Sequence, residues 1–109
     1  MADIAHCGCL ALANIAAIQS GQEACVSAGA APAIVACLKT HASSSVVVQC
    51  GCHALFNIGW SIASYQAAIV AAGAIPHLAA AFSRHTGEAR QMAHRALDRL
   101  GYTNQGAKK

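Results

Sequence analysis

The sequence predicts an all-α protein assembled from internal repeats, and three observations support that prediction. Residues 6–16 (HCGCLALANIA) recur 43 positions later as residues 49–59 (QCGCHALFNIG). The segments between these copies also match, because residues 22–32 recur 44 positions later as residues 66–76. The chain is 56% hydrophobic but only 5% aromatic, a composition that suits closely packed helices. Its residue order also lacks the alternation of apolar and polar residues that is typical of strands. A unit of this length is typical of helical repeat arrays.

A third and more divergent copy occupies residues 91–101. Its Ala96, Leu97 and Leu100 fall 42 positions after the matching residues of the second copy, whereas Arg99 replaces the asparagine. The predicted order of helices is therefore one long helix, followed twice by a short, a medium and a long helix.

The bounds of the first four helices are predicted from glycine, proline and serine residues that end or begin helices. A long helix over residues 3–18 is expected to end at Gly21. A short helix over residues 22–28 ends at Gly29, because glycine enters the left-handed region without steric cost. Pro32 opens a medium helix to residue 38, at the first helical position, where a missing N–H is tolerated. Hydroxyls from residues 43–45 are expected to cap the next long helix, residues 46–62.

The second unit repeats this pattern. Its predicted segments are a short helix over residues 65–71, a break at Gly73, a medium helix over residues 76–83, a break at Gly87 and a long helix over residues 88–100. No segment is predicted as a strand, because the valine run at 46–48 continues directly into helical spacing.

Charge and cysteine content limit the function classes. A formal charge of +3 is below what a nucleic-acid or membrane surface normally carries. Asp3 and Asn14 argue against a signal peptide, and no apolar run approaches a membrane span. Cysteines recur at repeat-equivalent helical positions, Cys7 with Cys50 and Cys9 with Cys52, which favours reduced core thiols over a disulfide framework. We therefore expect no nucleic-acid or membrane partner and an intracellular location, in the cytoplasm, the nucleus or both.

The motifs themselves resemble the armadillo repeat family. The pattern A-L-x-N-I-A closes a long helix, and residues 66–78 (QAAIVAAGAIPHL) open the next unit. The resemblance covers residues 6–101. It implies a right-handed α-solenoid of about two and a third repeats, whose third helices line a concave groove. In relatives such as importin-α and β-catenin, that groove binds extended peptides through side-chain amides.

The resemblance implies a single armadillo-repeat domain over residues 1–109. Its predicted parts are the third helix of a partial repeat (1–20), two full repeats (21–63 and 64–101) and a tail (102–109). The implied function is that of a protein-interaction module or scaffold that holds a protein or peptide ligand without a cofactor. An enzyme is not expected, because the carboxylates are scattered and no nucleophile lies in a recognisable turn.

Asparagine is the main candidate for ligand contact. At about 100° per residue, His53 and Cys50 lie within about 40° of Asn57 on one helix face. A carboxamide both donates and accepts hydrogen bonds, so it can bind the backbone of a peptide whatever the peptide's side chains are. The alternative is an asparagine that bonds a loop carbonyl of its own solenoid. The predicted peptide-binding residues are Leu10, Asn14, Gln49, His53, Asn57, Trp60, Gln91, Arg95 and Arg99.

The sequence differs from the family's nuclear-signal binders, which carry tryptophan four residues before the asparagine. Those positions hold Leu10, His53 and Arg95. Trp60 either replaces one missing aromatic wall or packs under the following loop. Because Arg95 and Arg99 lie one turn apart on the last helix, we expect the ligand to place an acidic segment there.

Two alternatives remain open at this point. H-C-G-C and C-G-C-H look like halves of a metal site, but cysteines two apart on a helix point about 200° apart, so Cys50 would pair only with His53. The other alternative is a structural or self-assembling segment, either a homo-oligomer or a fragment of a larger repeat protein. It follows from two faces predicted to be incompletely covered: Ile4, Leu12 and Ile15 at one end, and Ala93, Ala96 and Leu100 at the other.

Overall fold

The computed structural model describes residues 2–109, with side chains from residue 4 onwards. Seven α-helices are found in this part of the chain. They are α1 (Ala2–Ile15), α2 (Gln19–Ser27), α3 (Ala30–Thr40), α4 (Ser45–Ile58), α5 (Ala63–Ala71), α6 (Ala74–Arg84) and α7 (Gly87–Leu100). The described residues contain no strand, only an isolated antiparallel bridge between Tyr102 and Lys108. The all-α prediction is confirmed.

The helices follow the predicted order of lengths. After α1, helices of 9, 11 and 14 residues occur twice in succession. Each short helix meets the following medium helix at a sharp bend, 76° for α2 with α3 and 79° for α5 with α6. Gly29 and Gly73 form these bends with φ of 75° and 83°, as expected of glycines placed in the left-handed region. The long helix α4 packs against both α1 and α7.

Several predicted boundaries are wrong for local reasons. Gly21 does not end a helix but lies buried inside α2. Pro32 and Pro76 occupy the third helical position, because the preceding glycines cap α3 and α6; the first four N–H groups of a helix lack intrahelical partners, so proline is tolerated there as well. The serine cap is confirmed, since the Val47 N–H donates to the Ser44 hydroxyl at 3.3 Å.

The core is formed by aliphatic side chains from successive helices, with cysteines between them. Its largest fully buried members are Ile34, Val47, Val48, Leu55, Ile58, Ile69, Leu78 and Leu97, together with Cys9 and Cys52. All six cysteines are free thiols, and four of them are buried. The small sulfur side chains thus serve as core residues between closely spaced helices.

The two ends of the helix array are covered differently. Ile4 and Ile15 of α1 are 71% and 49% exposed, as predicted. The prediction of an uncovered face at the other end is wrong for Ala93 and Ala96, which are fully buried because α7 packs against both α4 and α6.

Residues 101–109 form a tail that folds back onto the last two helices. Gly106 approaches the side chains of Ile75 and Ala79 on α6. Lys109 forms an ion pair with Asp98 on α7, and this contact lowers the pKa of the Asp98 carboxyl below its ordinary value. The C-terminal end of the array is therefore covered by the chain itself.

No single helix in the described residues has the length and hydropathy needed to cross a membrane; the bent pairs α2 with α3 and α5 with α6 meet that test only jointly.

Candidate functional site

A cleft of about 370 Å³ lies between α1 and α4. Helix α1 contributes Ala13 and Asn14 to its lining, whereas α4 contributes His53 and Asn57. Its lining consists of Ala13, Asn14, Ala16, Ala17, Gln22, His53, Asn57 and Trp60. Four of the nine predicted site residues, one on α1 and three on or just after α4, are therefore brought together in one place.

The two asparagines in the cleft have different surroundings. Asn57 donates its side-chain N–H to the Ala13 carbonyl at 2.9 Å, which ties α4 to α1 and leaves the amide oxygen as an acceptor. The alternative allowed by the sequence was an internal bond to a loop carbonyl; the bond is internal, but its acceptor is a carbonyl of helix α1. Asn14 is exposed, and its side chain makes no hydrogen bond to another residue between 4 and 109. Asn14 is therefore the carboxamide that has both donor and acceptor groups available.

An aromatic and cationic cluster borders the cleft. Phe56 and Trp60 meet edge to face, with ring centroids 5.2 Å apart. The Arg99 guanidinium of α7 lies 4.2 Å from the Trp60 ring centroid and 5.4 Å from that of Phe56. Such cation–π contacts contribute about 0.5 to 1 kcal/mol at exposed sites. They hold the half-exposed indole in place against Arg99.

The other predicted residues lie outside the cleft. Gln49 donates to the Glu88 carboxylate at 3.2 Å, and Arg95 donates to the Met92 sulfur at 3.9 Å. Leu10 is exposed on α1. Gln91 lines a separate pocket with Arg90, His94 and Asn104.

Gln22 lines the cleft and Phe56 packs against Trp60, although the sequence pattern predicted neither as a site residue. Gln22 is the one buried polar side chain among the described residues, and it is the repeat counterpart of Gln66, whose side-chain N–H donates to the Gly59 carbonyl at 2.9 Å. Because a glutamine occupies the same position near the start of both repeat units, the sequence could have indicated that this side chain lies beside the end of the preceding long helix.

Cys50, which the sequence allowed as a partner of His53 in a metal half-site, has a different histidine beside it. Its sulfur lies 3.6 Å from Nδ1 of His6 on α1. Cys52 points into the core. In the described part of the chain, no three histidine, cysteine or acidic side chains converge in a way that could hold a metal ion.

Burial makes the core thiols poor ligands and nucleophiles. It raises the pKa of Cys52 to about 12, with a smaller contribution from the neighbouring Cys9. Burial also raises the pKa of Cys9 to about 12, assisted by the nearby Cys37 and Cys50. Since the thiolate is the reactive form, these groups stay protonated and inert at neutral pH.

Comparison with known proteins adds no relative: no family model, no curated protein and no solved structure matches this chain.

Proposed function

We propose that the chain is an armadillo-type solenoid that acts as a non-catalytic protein-interaction module. Three features support this. The sequence repeats at 43 to 44 residues, the helix lengths repeat in the same order, and the successive long helices α1, α4 and α7 pack side by side. In such an array each unit contacts its neighbours, and the aligned third helices form an extended binding surface.

The ligand in this proposal is an extended peptide bound across the cleft between α1 and α4. The observation that carries it is the grouping of Asn14, His53, Asn57 and Trp60 around one opening. Two carboxamides from repeat-equivalent positions offer donors and acceptors to a peptide backbone. The indole, fixed by Arg99, offers a flat apolar surface to one ligand side chain.

Asn14→Ala is expected to weaken peptide binding without weakening the fold. Asn14 is exposed, so its loss removes only ligand hydrogen bonds, each worth about 1 kcal/mol; we expect a Kd increase of about five- to tenfold. Ten-residue peptides selected from a random library provide the ligand, and fluorescence anisotropy measures the Kd.

Gln105→Ala serves as the matched control, because it removes an exposed amide from the tail. Asn57→Ala is a less specific variant, since it also breaks the bond to Ala13. If Asn14→Ala bound the selected peptides as tightly as the unmodified protein, the cleft would not be the binding site.

The proposed ligand carries an acidic segment near Arg99. Arg99→Gln is expected to raise the Kd of an acidic peptide by about tenfold or more, because hydrogen bonds to charged groups contribute about 1.5 to 3 kcal/mol. The affinity should also fall with added salt. Lys39→Gln removes an equal charge from α3 and is the control. Equal losses in both variants would indicate a general charge effect and contradict a specific site at Arg99.

A further inference from the structure

A buried glutamine beside the cleft has no hydrogen-bond partner within the protein. Gln22 of α2 is only 6% exposed and lines the cleft between α1 and α4. Its side-chain amide makes no hydrogen bond to another residue between 4 and 109, yet no fully enclosed polar side-chain atom of these residues lacks a partner. The amide atoms of Gln22 are therefore open to the cleft and to a ligand bound there.

The second repeat unit shows what the same glutamine does when it has a partner. Gln66, its counterpart in α5, donates its side-chain N–H to the Gly59 carbonyl at 2.9 Å. Ala16 holds the position that matches Gly59 in the repeat, but Gln22 does not bond the Ala16 carbonyl, although both residues line the cleft. The Gln22 amide thus lacks the structural role that Gln66 has.

A shorter connection accounts for the difference. Three residues, 16–18, join α1 to α2, whereas four residues, 59–62, join α4 to α5. The shorter link holds α2 so close to the end of α1 that a Cβ at Gly21 would overlap the Ile15 carbonyl oxygen. The matching position in α5 carries the large side chain of Tyr65. The two glutamines therefore meet the preceding long helix in different geometries.

The lining of the cleft is polar but contains no carboxylate, lysine or arginine. The amide of Gln22 has both donor and acceptor groups. A ligand carboxylate would only accept from this amide, and a ligand ammonium group would only donate to it, so either would leave part of a buried polar group unpaired, at a cost in affinity. A primary carboxamide on the ligand offers one donor and one acceptor together and can pair with both.

We infer that Gln22 is a specificity-determining residue of the cleft and selects a ligand residue with a primary carboxamide side chain, asparagine or glutamine. This inference rests on the proposed peptide-binding function and adds which ligand side chain enters the cleft. The acidic segment proposed near Arg99 is a separate part of the ligand, because Arg99 does not itself line the cleft.

Selection from a random library of ten-residue peptides tests the inference. The unmodified protein is expected to enrich asparagine or glutamine at one ligand position, and Gln22→Met, which has an unbranched side chain of similar length, should lose that enrichment. In one selected peptide, replacing the carboxamide residue by leucine should raise the Kd about fivefold or more with the unmodified protein. The same replacement should change the Kd by less than about twofold with Gln22→Met, because coupling between two substitutions reports a direct contact.

Gln66→Met is the matched control. It removes the bond to the Gly59 carbonyl, so it should lower the urea midpoint and leave the peptide preference unchanged. Gln22→Met loses no hydrogen bond within the protein and should keep the midpoint. In the unmodified 15N-labelled protein, the selected peptide should shift the side-chain amide signal of Gln22 and not that of Gln66.

The outcomes separate this inference from the function on which it rests. Selected peptides that lose affinity in Asn14→Ala but show no carboxamide preference, or keep that preference in Gln22→Met, would overturn the inference and leave the proposed function intact. An unshifted Gln22 side-chain signal in the presence of bound peptide would do the same. A library that yielded no binding peptide would overturn both.

Discussion

Gly21→Ala is expected to destabilise the protein by about 3 kcal/mol or more. A Cβ at this position would lie 1.7 Å from the Ile15 carbonyl oxygen and 2.7 Å from its carbon. These are backbone atoms at the end of α1, so the clash is relieved only by moving α2 away from α1. Overpacking a folded site typically costs about 1 to 3 kcal/mol, and a fixed backbone neighbour places this case at or above the upper end.

Urea denaturation measures the effect, and Gly8→Ala is its control. Alanine gains up to about 1 kcal/mol over glycine inside a helix, and Gly8 has space for the methyl group. The same chemical change is therefore expected to stabilise the protein at position 8 and destabilise it at position 21. Shifts of the same sign would show that the close approach of α2 to Ile15 does not govern the result.

Stability is expected to fall steeply with pH above about 9. Burial raises the pKa of Cys52 from 9.0 to about 12, so between these values the folded thiol keeps its proton while the unfolded thiol loses it. The unfolded state then binds fewer protons, and the free energy of unfolding decreases as pH rises, by up to about 1.4 kcal/mol per pH unit for each such thiol. Below pH 9 the Cys52 thiol is protonated in both the folded and the unfolded state, so its contribution to the free energy of unfolding does not change with pH.

Urea denaturation at a series of pH values between 7 and 11, under reducing conditions, measures this dependence. Cys52→Ala should reduce the slope above pH 9, whereas Cys7→Ala should not, because Cys7 is exposed. A slope that was unchanged in Cys52→Ala would assign the alkaline loss of stability to other groups.

Much of the fold could be predicted because the repeat determines it. The order of helix lengths follows from matching segments, and the bends at Gly29 and Gly73 follow from the conformational freedom of glycine. Gly21 was misassigned because its role depends on a helix that approaches it closely, which neither composition nor periodicity reveals. The same reason applies to Ala93 and Ala96, whose burial depends on how α7 lies against α4 and α6.

The candidate site could be predicted only within single helices. Helical periodicity placed His53 and Asn57 on one face correctly, and both line the cleft. It could not show that Asn57 bonds Ala13, 44 positions away, or that Arg99 stacks on Trp60. Gln49 and Arg95 were also predicted as ligand contacts, but Gln49 is engaged by Glu88 of α7 and Arg95 by Met92 of its own helix, and periodicity does not reveal such contacts.

The folded tail also determines how the protein is best attached to a surface. Its last residue pairs with Asp98 on α7, whereas the cleft lies between α1 and α4. An affinity tag joined after Lys109 would therefore emerge beside α7 and leave the cleft accessible. A tag joined at the N-terminus would precede α1, which forms one wall of the cleft. Immobilisation through the C-terminus is the orientation that keeps the cleft open for binding measurements.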